Sequence, residues 1–310
     1  MTSKTRHGRV LWSLLLLFSL GATACGGPTE QAPRETGARQ GPKIVVGSAN
    51  FSESEILGEI YAQALEHEGY EVERRFQIGS REIYAPALER GDISLMPEYV
   101  EAIYRHVTGE DGPGEPDQIV SRLNEALEPK GLRALEPAEA ENRDGQAVTA
   151  QTAQRLNLRN VSDLGPHAGE MIFSGPPECR ERPACLQGLR DVYGLEFKEF
   201  KGLDGQARYA AVSEGTVDII QVFTTDGAIA ARELVVLNDD KGISGDQRIV
   251  PVVRADLVEA HGDDLVELLD SISAALATED LVEMNRQVDV DRADPAEAAR
   301  DWLEENDFVA

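Results

Sequence analysis

Small polar residues near position 50 stand between a strand pattern and a helix pattern, where backbone N–H groups could bind an anion. Ile44-Val45-Val46 is an apolar β-branched run, and Gly47-Ser48-Ala49-Asn50 interrupts it with turn-forming residues. Ser52 and Glu55 then have the spacing of a capping box, ahead of an apolar stripe at helical spacing. A helix that begins where a strand ends presents its free N–H groups to a carboxylate or phosphate. A plain strand–helix unit without a ligand fits the same pattern.

Alternating strand and helix patterns extend this unit into a first α/β block. The sequence predicts a second strand over 71–78, a helix over 81–90, a third strand over 93–96 and a helix that starts at Pro97-Glu98-Tyr99. This alternation predicts a largely parallel sheet with short loops at its C-terminal edge.

A second α/β block follows the first, and the chain then returns. The predicted first lobe comprises residues 43–146 and 254–310, and the predicted second lobe comprises residues 147–253. Two such lobes joined by two crossings predict a hinged trap with a ligand cleft between them. The remaining patterns predict strands at 147–149, 217–223 and 249–253 and tail helices at 257–276, 278–287 and 295–306.

The N-terminal residues have the pattern of an export signal. Three basic residues precede an apolar run at 10–20, which is short for a membrane span, and small residues then lead to Cys25. This pattern resembles a bacterial lipoprotein signal over 1–25, in which Cys25 is lipidated; an ordinary secretory signal is the alternative. Residues 26–42 lack an apolar pattern and predict a flexible tether. We therefore expect an exported chain, lipid-anchored at the outer face of the cell membrane or in the periplasm.

Charge and cysteine content narrow the classes of partner. The chain of 310 residues carries a formal charge of −26, which disfavours nucleic acid and anionic lipid surfaces. Cys179 and Cys185 are expected to form one disulfide, because an exported chain meets an oxidising compartment. A metal site at this pair is disfavoured, since no further Cys or His stands near it.

Four segments, in order, resemble the substrate-binding lipoproteins of quaternary-amine ABC importers, the glycine betaine/choline/carnitine osmoprotectant-uptake class. They run from Lys43 to Arg254 and read VVGSANFSESEILGEIYAQ, IGSREIYAPALERGDISLMPEY, GPPECRERPACLQGLRDVYGLEF, and FTTDGAIAARELVVLNDDKG with the later PVVR. The resemblance implies an α/β, two-lobed periplasmic-binding-protein-like fold of type II, with the ligand cleft between the lobes and two hinge crossings.

The resemblance also implies how a ligand is held. Members of this class hold a trimethylammonium head in an aromatic cage, and a quaternary ammonium, which has no N–H to donate, is attracted to ring faces. Tyr99 matches a cage tyrosine of the class, Tyr84 and Phe223 are cage or core residues, and Tyr209 is assigned to the core. Arg81 could grip a carboxylate or pair with a neighbouring acid. The polar candidates are Ser48, Asn50, Ser80, Arg81, Thr224, Thr225 and Asp226.

The function that the resemblance implies is capture of a small quaternary amine or zwitterion and its delivery to an ABC permease, without a cofactor. A tethered solute sensor, or a binding protein for another zwitterion such as an amino acid, is the alternative. An enzyme is disfavoured because the sequence lacks nucleophile-elbow, phosphate-loop and zinc-protease motifs. The acidic run Asp289, Asp291 and Asp294 lacks the glycine and terminal glutamate of a calcium loop, so no metal is expected.

The chain also departs from the class in two of these segments. Ala49 and Ser54 stand where Lys and Gln are frequent, and Val100-Glu101-Ala102 stands where Thr-Gly-Thr is frequent. These departures bear on the ligand and leave the implied fold unchanged.

Overall fold

The computed structural model describes residues 39–112 and 116–310, which contain two five-stranded sheets with helices packed around them. The strands are β1 (Ile44–Gly47), β2 (Val72–Arg75), β3 (Leu95–Tyr99), β4 (Leu132–Ala134), β5 (Asp144–Thr149), β6 (Ile172–Gly175), β7 (Glu199–Gly202), β8 (Ile219–Phe223), β9 (Leu234–Leu237) and β10 (Ile249–Arg254). The helices are α1 (Ser52–His67), α2 (Arg81–Arg90), α3 (Val100–Thr108), α4 (Pro116–Leu127), α5 (Ala150–Leu156), α6 (Leu186–Asp191), α7 (Gln206–Ser213), α8 (Ala228–Ala231), α9 (Ala255–His261), α10 (Asp263–Ala275), α11 (Thr278–Asp289) and α12 (Pro295–Glu305).

The first sheet has the order β2-β1-β3-β10-β4. Strand β1 runs parallel to β2 and β3, whereas β10 runs antiparallel to β3 and β4, with Ile249 opposite Tyr99. The prediction of a largely parallel sheet therefore holds for β2, β1 and β3. It does not hold for β10, because that strand enters from the other lobe in the opposite direction.

The second sheet has the order β7-β6-β8-β5-β9 and follows the same plan. Strand β6 runs parallel to β7 and β8, and β5 runs antiparallel to β8 and β9. In both sheets, three parallel strands are thus followed by one antiparallel strand that a crossing supplies. As a result, the ends of β3 and β8, at Tyr99 and Phe223, occupy equivalent places in the two lobes.

The two crossings lie side by side and form the hinge. The backbone N–H of Asn142 donates to the carbonyl of Gln247 at 3.0 Å, and that of Ile249 donates to Ala140 at 3.0 Å. The sheets divide the chain at 141–143 and 238–248, whereas the predicted lobes divide it after 146 and after 253. Those predicted boundaries cut through β5 and β10. The predicted signal peptide at 1–25, and residues 26–38 of the predicted tether, lie outside the described residues.

Two local predictions are corrected by backbone geometry. Pro97-Glu98-Tyr99 ends β3 rather than starting a helix, since each residue pairs in register with β10, and α3 begins at Val100. The predicted helix over 257–276 is two helices, because Gly262 has φ of +74°, a left-handed conformation that glycine adopts without steric cost. Within the described residues, no helix is long and apolar enough to cross a membrane.

The predicted capping box at Ser52 and Glu55 does not form. Phe51 is the N-cap residue of α1, in extended conformation, and no side chain caps the helix there. The Ser52 hydroxyl instead donates to Asp289 Oδ1 at 2.6 Å, and the Ser54 hydroxyl accepts from the backbone N–H of Ala49 at 2.8 Å. The first turn of α1 is therefore fixed by the tail helix α11 and by the loop before it.

Candidate functional site

A cleft of about 530 Å³ opens where β1, β3, β6 and β8 end, and residues of both lobes line it. The first lobe contributes the loop that ends at Phe51 and the end of β3. The second lobe contributes the loop after β6 and the end of β8. This is the edge at which open α/β sheets bind ligands. The symmetry of the two sheets thus brings four strand ends to one cavity.

Three rings, Phe51, Tyr99 and Phe223, form a continuous aromatic wall of this cleft. The centroid of Phe51 lies 6.4 Å from that of Tyr99 and 5.6 Å from that of Phe223, with interplanar angles of 27° and 24°. Nearly parallel rings from both lobes present π faces, which attract a cation. The aromatic wall is therefore suited to contact a quaternary ammonium group with more than one ring.

A buried carboxylate, that of Glu53, lies beside the aromatic wall. Its Oε1 accepts from the Tyr99 hydroxyl and from Asn142 Nδ2, each at 2.6 Å. Its Oε2 accepts from Asn285 Nδ2 at 2.6 Å and from the Thr225 hydroxyl. Burial raises the pKa of Glu53, and these four hydrogen bonds oppose that shift because they favour the charged form. We call these five residues the Glu53 node; they come from both lobes and the first crossing.

A second buried carboxylate, Glu98, is neutralised by an arginine. Arg81 Nε and Nη2 donate to its two oxygens at 3.0 and 2.8 Å, and the Tyr84 hydroxyl donates to Oε1 at 2.8 Å. Arg81 therefore makes a two-pronged pair within its own lobe. Its charge is compensated there, and its Nε and Nη2 both donate to Glu98.

On the side of the second lobe, Asp226 accepts from the Tyr209 hydroxyl and from the backbone N–H of Phe223, the latter at 2.9 Å. Arg208 approaches Asp226 at 3.6 Å, and its guanidinium lies 5.8 Å from the centroid of Phe223. Burial raises the pKa of Asp226, and Arg208 opposes that shift. Arg208 Nε is buried and has no hydrogen-bond partner in the described part of the chain, so this guanidinium retains donor capacity beside the cleft.

Residues 178–185, which we call the disulfide loop, line the cleft on the side of the second lobe. Cys179 and Cys185 are joined, as expected, and Glu178, Glu181 and Arg182 of this loop line the cavity. Arg182 Nη2 lies 3.5 Å from Glu82 of the first lobe. Further acids line the cleft, so its lining has more carboxylates than guanidinium groups; they are Asp111, Asp144, Asp204, Glu110 and Asp289.

Comparison with known proteins now identifies the family. Residues 42–305, most of the chain, match the family of substrate-binding domains of ABC-type glycine betaine transport systems. The chain belongs to this family. It is thus the substrate-binding component of an ABC-type transport system of the glycine betaine class, and it acts outside the cytoplasm together with an ABC permease.

Relatives support this membership. A glycine-betaine-binding protein of Pseudomonas aeruginosa is 29% identical over 287 residues, which are 88% of this chain and 91% of that protein. An ergothioneine transport permease/ergothioneine binding protein of Helicobacter pylori is 28% identical over 84% of this chain and 47% of that longer protein. The crystal structure of a glycine betaine/carnitine/choline ABC transporter protein shares the two-lobed fold, with a TM-score of 0.70 at 21% identity over 86% of this chain and 99% of that chain.

Most sequence-predicted site residues of this binding protein lie around the cleft. Those that line it are Asn50, Ser80, Arg81, Tyr84, Tyr99, Phe223 and Asp226. Ser80 donates to Glu82 at 2.6 Å, so its hydroxyl is used locally. Three candidates are not among the lining residues. Ser48 accepts from Gln77 N–H, Thr224 accepts from Arg143 N–H, and Thr225 belongs to the Glu53 node.

Sequence reasoning missed several lining residues. Phe51 stands in a segment that carries the family resemblance and lines the cleft, but it is not among the predicted cage residues. Tyr209 is buried, as expected for the core, and it also lines the cleft. Glu53 stands inside the predicted capping box, and the capping-box pattern of Ser52 and Glu55 gives it no role. Arg208 is adjacent to Tyr209 on α7, and nothing in its local pattern separates it from a surface arginine.

Proposed function

We propose that this binding protein captures a quaternary-amine osmoprotectant, of the glycine betaine, choline or carnitine kind, and delivers it to its permease. The aromatic wall in an acid-rich cleft is the observation that carries this proposal. A trimethylammonium group cannot donate an N–H hydrogen bond, so ring faces and carboxylates are the groups suited to bind it. Solute bound between the lobes would stabilise the closed form that the permease recognises.

The carboxylate of a betaine needs a donor, and Arg208 is the residue that the geometry favours. Arg81 was a candidate for this role, but it is paired with Glu98. Arg208 is buried beside Phe223, and its Nε has no partner among the described residues. A ligand that places its cation on the aromatic wall could place its carboxylate against Arg208, at the same end of β8.

The site also leaves room for a larger betaine. The cleft of about 530 Å³ lies in the usual range for small-molecule sites. One relative is named for ergothioneine, which is itself a trimethylated betaine. Larger trimethylammonium zwitterions therefore belong among the ligands to be tested.

Anchoring and export follow from the N-terminal pattern. We propose that residues 1–25 are a lipoprotein signal, that Cys25 is lipidated, and that residues 26–42 tether the body to the membrane. Mass spectrometry of the mature protein tests this: the proposal requires a diacylglycerol-modified Cys25, and a Cys25→Ser variant released into the medium or periplasm. An unmodified N-terminus beyond residue 25 would contradict it.

A thermal-shift screen of the purified chain tests the ligand class. The panel contains glycine betaine, choline, carnitine, ergothioneine and common amino acids. A ligand present at a hundred times its dissociation constant stabilises the folded state by about 2.7 kcal/mol, an easily measured shift. We expect a shift with at least one trimethylammonium compound. A shift with amino acids alone would overturn the quaternary-amine proposal and leave a trap for another zwitterion.

A further inference from the structure

We propose that the Glu53 carboxylate is the fixed counter-charge of the site and determines its preference for cationic over neutral ligands of the same shape. This inference rests on the proposed function, because it assumes that a quaternary amine binds at the aromatic wall. It assigns to Glu53 a role that neither the family match nor the fold assigns. Glu53 acts on the ligand by charge, as a specificity-determining residue.

The hydrogen bonds of the Glu53 node favour the charged form of its carboxylate and oppose the effect of burial, which raises its pKa. All four groups that contact it donate, and a protonated carboxyl group would have to give up one of these acceptor positions. The Tyr99 hydroxyl lies 2.6 Å from Glu53 Oε1, a distance typical of a hydroxyl that donates to a charged oxygen. With the lobes in this arrangement, the carboxylate is therefore fixed in place and orientation by its four donors.

The four donors are neutral, and this separates Glu53 from Glu98 and Asp226, two carboxylates that each have an arginine nearby. Glu98 has Arg81 at 2.8 Å, and Asp226 has Arg208 at 3.6 Å. The node instead contains hydroxyl and amide groups of Tyr99, Asn142, Thr225 and Asn285. Neutral donors stabilise a charge but do not cancel it at a distance. The negative charge of Glu53 thus remains available to a cation.

Sequence and contacts place this charge directly beside the aromatic wall. Glu53 follows Phe51 by two residues and is hydrogen-bonded to the Tyr99 hydroxyl. Thr225, which also donates to Glu53, follows Phe223 by two residues. Glu53 is 3% exposed and is nevertheless among the residues that line the cleft. Two of the rings thus lie two residues before a member of the Glu53 node, and the third ring, that of Tyr99, carries a hydroxyl that donates to Glu53.

Shape alone cannot give the site its preference for a cation. A trimethylammonium group and a tert-butyl group have nearly the same size and surface, so apolar contacts with the rings would bind both. Cation–π attraction to the rings gives part of this preference. A buried full charge beside the rings adds to it, because the protein screens that charge less than water does. Glu53 supplies that charge.

The test compares each trimethylammonium compound with the carbon isostere in which a neutral tert-butyl group replaces the cationic head. The pairs are choline with 3,3-dimethylbutan-1-ol and glycine betaine with 3,3-dimethylbutanoate, and the dissociation constants are measured by titration calorimetry on the native protein and on Glu53→Gln and Glu53→Asp. Loss of the charge in Glu53→Gln is expected to lower the cation-to-isostere affinity ratio by at least about tenfold, with binding of the uncharged 3,3-dimethylbutan-1-ol changed less than about twofold. Glu53→Asp keeps the charge and disturbs the hydrogen bonds, so it should retain the ratio even if both affinities fall.

The outcomes separate this inference from the proposed function. If the native protein binds no quaternary amine, the proposed function fails and this inference fails with it. If it binds one and the ratio is the same in Glu53→Gln, the proposed function stands and the inference is overturned. An equal loss of ratio in Glu53→Asp and Glu53→Gln would also overturn it, since geometry rather than charge would then be responsible.

Glu53→Gln places an amide among four donors and could fail to fold, so a second variant is needed. Thr225→Val removes one donor, and the pKa of Glu53 should rise further because that hydrogen bond favours the charged form. The cation-to-isostere ratio of Thr225→Val should therefore decline at a higher pH than that of the native protein, when the pH is lowered stepwise over the range in which both proteins stay folded. Identical profiles would overturn the inference. The other titratable and charged groups lining the cleft are the same in both proteins, so their effect is common to both profiles; the principal ones are His106, Asp144, Arg182, Arg208, Asp226 and Asp289.

Discussion

Two buried glutamates of the first lobe, Glu98 and Glu53, have similar surroundings and different partners. Each is almost fully buried, and each accepts a hydrogen bond from a tyrosine that lines the cleft. Glu98 also receives two hydrogen-bond donors from Arg81, whereas the four donors to Glu53 are neutral. Burial alone therefore does not decide what a carboxylate does in this cleft.

The partners also differ in where they come from. Arg81, Tyr84 and Glu98 belong to α2 and β3 of one lobe, so this group can form without the second lobe. The Glu53 node takes Thr225 from the second lobe and Asn142 from the first crossing. Opening of the lobes would separate Thr225 from Glu53 and leave the Arg81–Glu98 pair unchanged. The group around Glu98 is suited to support the wall of the cleft. The Glu53 node is suited to respond to closure of the lobes.

The largest effect is expected from breaking the arginine pair. Arg81→Met leaves Glu98 buried without its counter-charge, and removal of one partner from a buried ion pair typically costs about 3–5 kcal/mol. The free energy of unfolding from urea titration should fall by that amount. The matched control is the double variant Arg81→Met/Glu98→Leu, which leaves no unpaired charge and should recover most of the loss. A decrease below about 1 kcal/mol in the single variant would contradict this assignment.

The next largest effect is expected on ligand affinity, from replacement of Tyr99 rather than Tyr84. Tyr99→Ala removes a ring of the aromatic wall, so affinity for the best trimethylammonium ligand should fall at least about tenfold without unfolding the protein. Tyr99→Phe keeps the ring and removes one donor to Glu53, so its loss should be smaller. Tyr84→Phe is the matched control at Glu98, whose charge Arg81 already compensates; it should change affinity by less than about twofold. Equal losses in Tyr84→Phe and Tyr99→Phe would show that the two carboxylates are equivalent.

The same comparison shows what the sequence could predict. The alternation of strands and helices predicted two α/β lobes, the family resemblance assigned Tyr99 to the cage, and a predicted strand end placed Phe223 near the cleft, which both rings line. The Glu53 node was beyond such reasoning, because its partners stand 46 to 232 residues away from Glu53 in the chain. Patterns in a sequence report neighbours along an element, and a buried polar cluster is assembled by tertiary structure.

The lobe boundaries were displaced for a related reason. Strands β5 and β10 each begin just after a crossing, and their apolar patterns do not show which sheet they join. Pairing decides this: β10 lies between β3 and β4, and β5 lies between β8 and β9. Arg81 is a third example, since its helical position fits a surface ion pair as well as the buried pair with Glu98 that the structure contains.

The smallest effect is expected at the exposed ion pair across the cleft mouth. Arg182 and Glu82 lie 3.5 Å apart, with side chains 27% and 51% exposed, so solvent and salt screen their attraction. Arg182→Gln removes one contact between the lobes and should weaken ligand affinity by about twofold to fivefold at low salt. At about 0.5 M salt the difference from the native protein should disappear, because the Debye length is then only a few ångströms.

Arg180→Gln is the matched control, because Arg180 belongs to the same disulfide loop but donates to the Phe200 carbonyl at 3.2 Å and stacks on that ring, within its own lobe. Its replacement removes the same charge from the loop without touching the first lobe, so affinity should change less than in Arg182→Gln. Titration calorimetry of both variants and the native protein, at low salt and at about 0.5 M salt, measures these differences in affinity. A salt-independent loss in Arg182→Gln would mean that this side chain contacts the ligand itself, and equal losses in both variants would mean that the net charge of the loop acts rather than the pair with Glu82.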